Sequence, residues 1–116
     1  MEKITGIGGV FFKAEDADAL RRWYQEKLGI DVDPSYGGAQ FGDTVWSIFP
    51  ASSKGFDPSS KPYMINYRVR NLDAMLAQLR AKGADVAAET QDMEGVGRFS
   101  WVTDPEGNRI ELWQPA

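Results

Sequence analysis

An internal repeat constrains the fold of this chain more than any other feature of its sequence. Val-Phe-Phe-Lys at residues 10–13 aligns with Ile-Asn-Tyr-Arg at 65–68, and Gly-Ile-Asp-Val at 29–32 aligns with Gly-Ala-Asp-Val at 83–86. Each copy predicts a strand, a helix, a short strand and a hairpin, in that order. A helix covers only one face of a sheet, so two such units side by side leave a concave face free. The repeat therefore predicts a shared cup in which a ligand would lie.

Two amphipathic helices are predicted, one in each copy of the repeat. Asp16 or Asp18 can cap the start of the first helix, and Asn71 can cap the second. Gly29 and Gly83 stand where a helix typically ends. The apolar side chains recur at helical spacing: Leu20, Trp23, Tyr24 and Leu28 in the first helix, and Leu72, Met75, Leu76 and Leu79 in the second.

The strands are predicted from apolar or alternating segments that glycines and prolines interrupt. Residues 3–13, 30–32, 63–69 and 84–86 predict strands, and 40–49 predict a hairpin around Gly42 and Asp43. The closing segment 97–116 predicts a second hairpin, with Asp-Pro-Glu-Gly (104–107) as its turn and Thr103 opposite Asn108. Residues 51–62 form a polar loop, interpreted as a connector with a lid as the alternative. The acidic loop at 89–95 is open to the same lid role.

Length and composition narrow the class of protein. The chain has 116 residues, 42% of them hydrophobic and 26% charged, which favours one domain over residues 1–116. Within it we predict module 1 at about 1–50, the connector at 51–62 and module 2 at about 63–116. A net charge of −4 disfavours nucleic-acid binding. The lack of a long apolar run and of a signal region favours a cytoplasmic protein without membrane contact.

The absence of two residue types narrows the chemistry further. The chain contains neither cysteine nor histidine. Thiolate nucleophiles, disulfides and thiolate metal sites are therefore excluded, as is the commonest general base. A metal ion bound by this chain would need oxygen ligands.

Two sequence signatures resemble those of the vicinal oxygen chelate superfamily, which includes glyoxalase I, bleomycin-resistance proteins and extradiol dioxygenases. They are Asp16 followed by Trp-Tyr at 23–24 and Leu-Gly at 28–29, and Thr-Asp-Pro-Glu-Gly-Asn at 103–108 followed by Ile-Glu-Leu at 110–112. The resemblance covers nearly the whole chain. It implies an α+β fold of two βαβββ modules, in which a curled mixed sheet carries a cup on one face and helices on the outer face. It also implies a homodimer.

The metal enzymes of this superfamily bind a divalent ion through one ligand from each of four strands. Position by position, the resemblance places the first three ligands on Gly9, Ser47 and Met64, none of which is the histidine or acid that the family uses. Only the fourth position matches, at Glu111. One carboxylate does not hold a catalytic ion against water, so we predict no bound metal and no other cofactor.

Strand alternation predicts which side chains share the cup with Glu111. Arg109 and Trp113 take its face of the closing strand, while the predicted hairpin pairing puts Ser100 opposite Glu111. The same pairing sends the aromatic side chains at 99 and 101 into the core. The full predicted ligand-binding set is Phe11, Ser47, Phe49, Met64, Asn66, Arg68, Ser100, Arg109 and Trp113.

Each group of these residues has a functional and a structural interpretation. Glu111 can act as a catalytic base, or it can pair with a neighbouring arginine, since buried acids are normally paired. The aromatic residues can form a stacking wall for a ligand or belong to an ordinary core. The arginines can bind an anion or remain solvated charges at the rim.

The leading functional prediction is a metal-independent protein that binds a small, partly aromatic ligand, anionic if the arginines contact it. One alternative is a lyase, isomerase or dioxygenase-type enzyme of the same superfamily, with Glu111 as a base or as part of an oxygen-only metal site. Another is a structural or partner-binding homodimer, because the unpaired backbone groups of the edge strands must be covered or protected. Whether the protein is an enzyme is left open by the sequence.

Overall fold

A computed structural model describes residues 1–116 and contains two helices and eight strands. In chain order they are β1 (Gly6–Ala14), α1 (Ala17–Leu28), β2 (Gly38–Phe41), β3 (Thr44–Pro50), β4 (Tyr63–Arg68), α2 (Leu72–Ala81), β5 (Asp85–Val86), β6 (Gln91–Met93), β7 (Gly97–Thr103) and β8 (Arg109–Pro115). The strands form one mixed sheet in the order β2-β3-β1-β4-β8-β7-β5, with β6 paired to β7. The sheet does not close into a barrel, because β2 and β5 are its two ends. The predicted α+β fold with a curled mixed sheet is confirmed.

The sheet repeats the same strand pairings on both sides of its centre. In the first half, β1 pairs parallel to β3 and β3 pairs antiparallel to β2. In the second half, β4 pairs parallel to β8 and β8 pairs antiparallel to β7. The halves join where β1 and β4 run antiparallel, with a bulge between Ile7 and Gly9. The repeat seen in the sequence is therefore also present in the strand topology.

Both helices begin at the predicted caps. The carboxylate of Asp16 accepts a hydrogen bond from the Ala19 N–H at 3.0 Å, and the side chain of Asn71 accepts one from Ala74 N–H at 3.0 Å. These bonds satisfy N–H groups that the first helical turn leaves free. Gly29 ends α1 with φ 69°, a left-handed conformation that glycine adopts without strain.

The main core lies between α2 and the second half of the sheet. Its fully buried members are Val69, Leu72, Met75, Leu76, Val102 and Leu112. By contrast, α1 has no fully buried residue. It packs on the sheet through edge-to-face contacts in which Tyr24 meets Phe12 at 6.0 Å and Trp46 at 5.1 Å between ring centroids. The two helices therefore cover the same side of the sheet with different amounts of buried surface.

One predicted strand is wrong. Residues 30–32 form no ladder, and the only pairing nearby is an isolated bridge between Asp33 and Gly38. The Asp33 carboxylate accepts hydrogen bonds from the Ser35 N–H and hydroxyl group, so a turn begins directly after these residues and leaves them little length for a ladder. The segment 89–95, predicted as a loop, contains a strand: Gln91–Met93 forms β6 and pairs with β7.

The predicted register of the closing hairpin is also wrong, by one residue. Thr103 pairs with Arg109 instead of Asn108, and Trp101 pairs with Glu111. The reason is Asp104, whose carboxylate accepts hydrogen bonds from the backbone N–H groups of Glu106 and Asn108 and from the Asn108 amide. These bonds draw Asn108 into the turn, so pairing begins one residue later.

The N-terminal segment of module 1 packs on the helix of module 2. The Glu2 N–H donates to Gln78 Oε1 at 2.8 Å, and the Gln78 amide donates to the Glu2 carbonyl at 3.1 Å. The Thr5 N–H donates to the Arg68 carbonyl at 2.9 Å, which ties the same segment to β4. Neither helix of the fold is long and apolar enough to span a membrane.

Candidate functional site

The face of the sheet opposite the helices carries a cavity of about 680 Å³, here called the cup. Because side chains alternate along a strand, Glu111 points into the cup while Ile110 and Leu112 point toward α2. Loop 51–62 and the segment 89–96 rise at its sides. The lining residues are Phe11, Phe49, Gly55, Phe56, Met64, Glu89, Gln91, Met93, Val96, Phe99, Trp101, Arg109 and Glu111.

Glu111 is held by two neighbouring strands. The Asn66 amide on β4 donates to its Oε1 at 2.7 Å, and the Trp101 indole N–H on β7 donates to its Oε2 at 3.0 Å. Burial raises the pKa of the Glu111 carboxyl, and these two hydrogen bonds and the charge of Arg109 only partly offset that effect. The carboxyl group is thus fixed in position and is more easily protonated than an exposed glutamate.

Arg109 lies beside Glu111 on β8 and covers the ring of Trp101. Its guanidinium carbon is 4.7 Å from the ring centroid, a cation–π contact. Nη1 donates to the backbone carbonyl of Asp57 in loop 51–62. The buried Nε has no hydrogen-bond partner. Burial lowers the pKa of the guanidinium, against the raising effect of the carboxylates of Glu89, Glu111 and Asp57.

Phe56 closes one side of the cup, a position that the sequence analysis does not predict. It is 0% exposed, although loop 51–62 is otherwise polar or small. Its ring packs edge-to-face on Phe49 with centroids 5.3 Å apart, and the Lys13 ammonium lies 5.0 Å from its centroid. The only signal in the sequence was one large apolar side chain within a polar loop. Loop 51–62 is therefore a packed wall of the cup, which goes beyond the predicted role of a connector.

Four residues of the predicted ligand-binding set line the cup, Phe11, Phe49, Met64 and Arg109, and so does the predicted catalytic residue Glu111. Asn66 is buried beneath them and holds Glu111. Ser47 is buried as well, but its hydroxyl donates to the Tyr36 carbonyl at 3.3 Å. The other three predicted residues lie outside the lining of the cavity.

Those three residues are Ser100, Arg68 and Trp113. Ser100 pairs with Leu112, so its side chain lies on the helix face, where its hydroxyl donates to the Glu89 carbonyl at 3.0 Å. The prediction that it faces the cup is wrong because the hairpin register differs. Arg68 and Trp113 stack on each other at 4.8 Å beside the cavity, outside its lining.

The same error in register hid two aromatic residues of the cup. The sequence predicts Phe99 and Trp101 in the core, but Trp101 pairs with Glu111 and Phe99 stacks on Trp113 with ring planes 2° apart. A turn prediction that included the hydrogen bonds of Asp104 would have placed both correctly. No sequence pattern indicates the remaining lining residues of this region, because only the pairing of β6 brings them to the cup. They are Glu89, Gln91, Met93 and Val96.

The residues present do not fit the divalent ion that the fold family implies. No three histidine, cysteine, aspartate or glutamate residues come together anywhere in the chain. A Cβ at Gly8 would lie 2.3 Å from Asn66 Oδ1, and one at Gly9 would lie 2.5 Å from the ring of Phe11, so side chains already fill these positions. Both oxygens of Glu111 accept hydrogen bonds from neutral donors.

Comparisons with known proteins identify the family of the chain. Residues 9–113 match the model of the glyoxalase-like domain family. The chain is 27% identical over 117 aligned residues to the Mycobacterium tuberculosis protein named "Putative glyoxylase CFP32", covering 90% of this chain but only 44% of that relative. The chain thus spans less than half the length of this relative.

Solved structures share the fold at low sequence identity. Methylmalonyl-CoA epimerase from Mycobacterium tuberculosis has a TM-score of 0.69 and 21% identity, with 97% of this chain and 89% of that chain covered. A glyoxalase/bleomycin resistance protein/dioxygenase superfamily member from Vibrio splendidus has a TM-score of 0.67 and 11% identity, with both chains fully covered at 100%. The matched family model and the shared fold place the chain in the glyoxalase-like domain family of the vicinal oxygen chelate superfamily.

Proposed function

We propose that this protein binds a small molecule with an aromatic or planar part in the cup, without a bound metal ion. The observation that carries the proposal is a fixed, partly buried carboxyl group, Glu111, at the base of a cavity with mostly apolar walls. Ligand sites typically combine such walls with a few polar groups that set orientation. A cytoplasmic location and a homodimer stay predictions that accompany this proposal.

The walls of the cup suit a flat ligand. Phe11 and Phe49 meet edge-to-face with centroids 5.6 Å apart, and Phe56 continues the same cluster. Trp101 stands across the cavity with its indole N–H held by Glu111. Aromatic rings gain from offset or edge-to-face contact in addition to the area they bury. A ring between these walls would be contacted on several sides, with Glu111 available to accept a hydrogen bond from a polar substituent.

The experiment is titration calorimetry with a panel of aromatic acids, their amides and their thioesters. Phe11→Leu should weaken binding by roughly three- to tenfold, because the ring contact is worth about 0.5–1.5 kcal/mol. Phe12→Leu is the matched control, since Phe12 is the next residue of β1 and packs behind the sheet on Tyr24 and Trp46. The proposal fails if no member of the panel binds, or if the two variants weaken binding equally.

A second candidate function is proton transfer at carbon, with Glu111 as the base. One observation favours it: burial raises the pKa of Glu111 toward the range in which a carboxylate is an effective base. Each Glu111 oxygen accepts one hydrogen bond and keeps a further lone pair. Incubating the same panel in D₂O and following loss of the C–H signal next to a carbonyl group by NMR would test this. Exchange that persists in Glu111→Gln would exclude the role.

A further inference from the structure

Arg109 lines the cup without forming a salt bridge. Its guanidinium lines the cavity, yet its single hydrogen bond goes to the uncharged backbone carbonyl of Asp57. It takes part in none of the three salt bridges of the chain, which join Arg21 to Asp18 and Arg98 to Asp73 and Asp92. A charged donor in a partly buried site without an anionic partner is unusual, because buried charges are normally paired.

The unused donors of Arg109 lie on one edge of its planar group. Nε is buried without a partner, and Nη2 makes no hydrogen bond either. This edge has the spacing of two N–H groups that match the two oxygens of a carboxylate. The face of the same group is fixed on Trp101 at 4.7 Å, which limits the rotation of the guanidinium. A carboxylate in the cup would therefore meet Nη2 as a donor that is already oriented, whereas the buried Nε joins it only after a shift of the guanidinium.

The two carboxylates of the cup do not fill this role themselves. Glu111 has each of its oxygens bound by a neutral donor, from Asn66 and from Trp101. Glu89 lines the cup, but it forms no salt bridge with Arg109. The guanidinium thus stays available to an anion brought by a ligand.

We infer that Arg109 selects ligands that bear a carboxylate, which accepts a hydrogen bond from the unused Nη2 while Nη1 keeps its bond to the Asp57 carbonyl. This inference rests on the proposed function and adds the charge class of the ligand to it. Bonds between a guanidinium and a carboxylate are shorter and stronger than bonds to a neutral carbonyl, so Arg109 favours an acid over the matching amide. The apolar walls would hold the ring of the ligand while Arg109 holds its acidic end.

Matched pairs of probes test the inference: benzoate with benzamide, phenylacetate with phenylacetamide, and 2-naphthoate with 2-naphthamide. Each pair keeps its ring and changes only the charge. The wild-type protein should bind the acid of a pair at least about tenfold more tightly than the amide, as expected for a hydrogen bond to a charged group. In Arg109→Gln the preference should fall to about twofold or less, while Arg109→Lys should keep part of it.

The chain offers a close control in Arg68. It also stacks on a tryptophan, Trp113, at 4.8 Å and also donates to a backbone carbonyl, that of Asp43 at 3.2 Å, but it lies outside the cup lining. Arg68→Gln should therefore leave the preference for the acid unchanged.

Equal binding of acid and amide by the wild-type protein would overturn the inference and leave the proposed function standing. A loss of both acid and amide binding in Arg109→Gln would also overturn it, since Arg109 would then only support the cup. Binding of no probe at all would remove the inference and the proposed function together.

Discussion

The two halves of the molecule begin from the same sequence pattern and reach different degrees of burial. Both helices have a side-chain cap at the same position, and both lie on the same side of the sheet. Yet α2 fully buries Leu72, Met75 and Leu76, whereas α1 buries none of its residues and leaves Trp23 48% exposed. The comparison shows that a repeat specifies the order of elements, while burial depends on what packs against them.

The halves also contribute differently to the cup. Phe11 aligns with Asn66 in the repeat, and these residues pair across their parallel ladders with Ser47 and Glu111 respectively. The first half thus has an aromatic ring and a hydroxyl group where the second has an amide and a carboxyl group. As a result the first half supplies only apolar wall, whereas the second half supplies the polar centre as well as wall residues such as Trp101. The repeat thus has two equivalent pairs of positions, and only the pair in the second half includes a carboxyl group.

The largest difference between the halves is expected in stability. Met75 and Leu20 occupy aligned positions of the two helices, but only Met75 is fully buried. Met75→Ala should lower the free energy of unfolding by about 2–5 kcal/mol, because it leaves a cavity in the core. Leu20→Ala should lower it by no more than about 1.5 kcal/mol, since less apolar surface is removed from contact. Urea unfolding of both variants measures the two values, and equal losses would contradict the described asymmetry of the core.

A smaller difference is expected in the dependence of stability on pH. The folded state raises the pKa of Glu111, so it binds more protons than the unfolded chain from the ordinary glutamate pKa upward. Its stability contribution therefore falls as the pH rises through that window. Glu111→Gln removes this loss, so the gain in stability of the variant over the wild type should grow as the pH rises above 4.5, the ordinary pKa of glutamate.

Chemical unfolding at several pH values measures that gain, with Glu106→Gln in the exposed closing turn as the control. The control should follow the wild type across the range. If the gain of Glu111→Gln shrank with rising pH, the hydrogen bonds from Asn66 and Trp101 would outweigh the effect of burial.

The smallest difference is expected at the helix caps, where the halves agree. Asp16→Ala and Asn71→Ala each remove one hydrogen bond of 3.0 Å to the first turn of a helix. Each should cost about 1 kcal/mol of unfolding free energy, so the two losses should match within about 0.5 kcal/mol. Thermal unfolding of the pair compares them directly. A much larger cost at Asn71 would mean that cap energies follow the burial of the helix behind them.

Features decided by near neighbours in the chain were predictable from the sequence. The caps at Asp16 and Asn71 depend on bonds to residues three positions away, and the α2 stripe depends on spacing alone. The tight hairpin around Gly42 was predicted for the same reason, and Phe41 does pair with Thr44. The superfamily signatures then made the arrangement of the two modules predictable, and the sheet order confirms it.

Two features were not predicted correctly: the register of the closing hairpin, which local hydrogen bonds in its turn decide, and the position of Phe56, which contacts outside its own loop decide. The three hydrogen bonds of Asp104 shift the register of β7, and one residue of shift moves every side chain to the other face. Trp101 and Ser100 exchanged faces for that reason. Phe56 reaches the cup only because a distant ring, that of Phe49, and the Lys13 ammonium receive it. No local pattern in loop 51–62 encodes that contact.

The bond pair between Glu2 and Gln78 has a consequence for how such a duplicated protein can be taken apart. The first residues of the first copy pack against the second copy. Met1 and Ile4 line a groove there, together with Tyr67, Met75 and Leu79. A fragment made of the second copy alone would expose that groove. It would also leave one edge of β4 without the hydrogen bonds that β1 provides. The two copies are therefore no longer interchangeable building blocks. Fragment exchange or circular permutation would have to carry the first five residues along with the second copy.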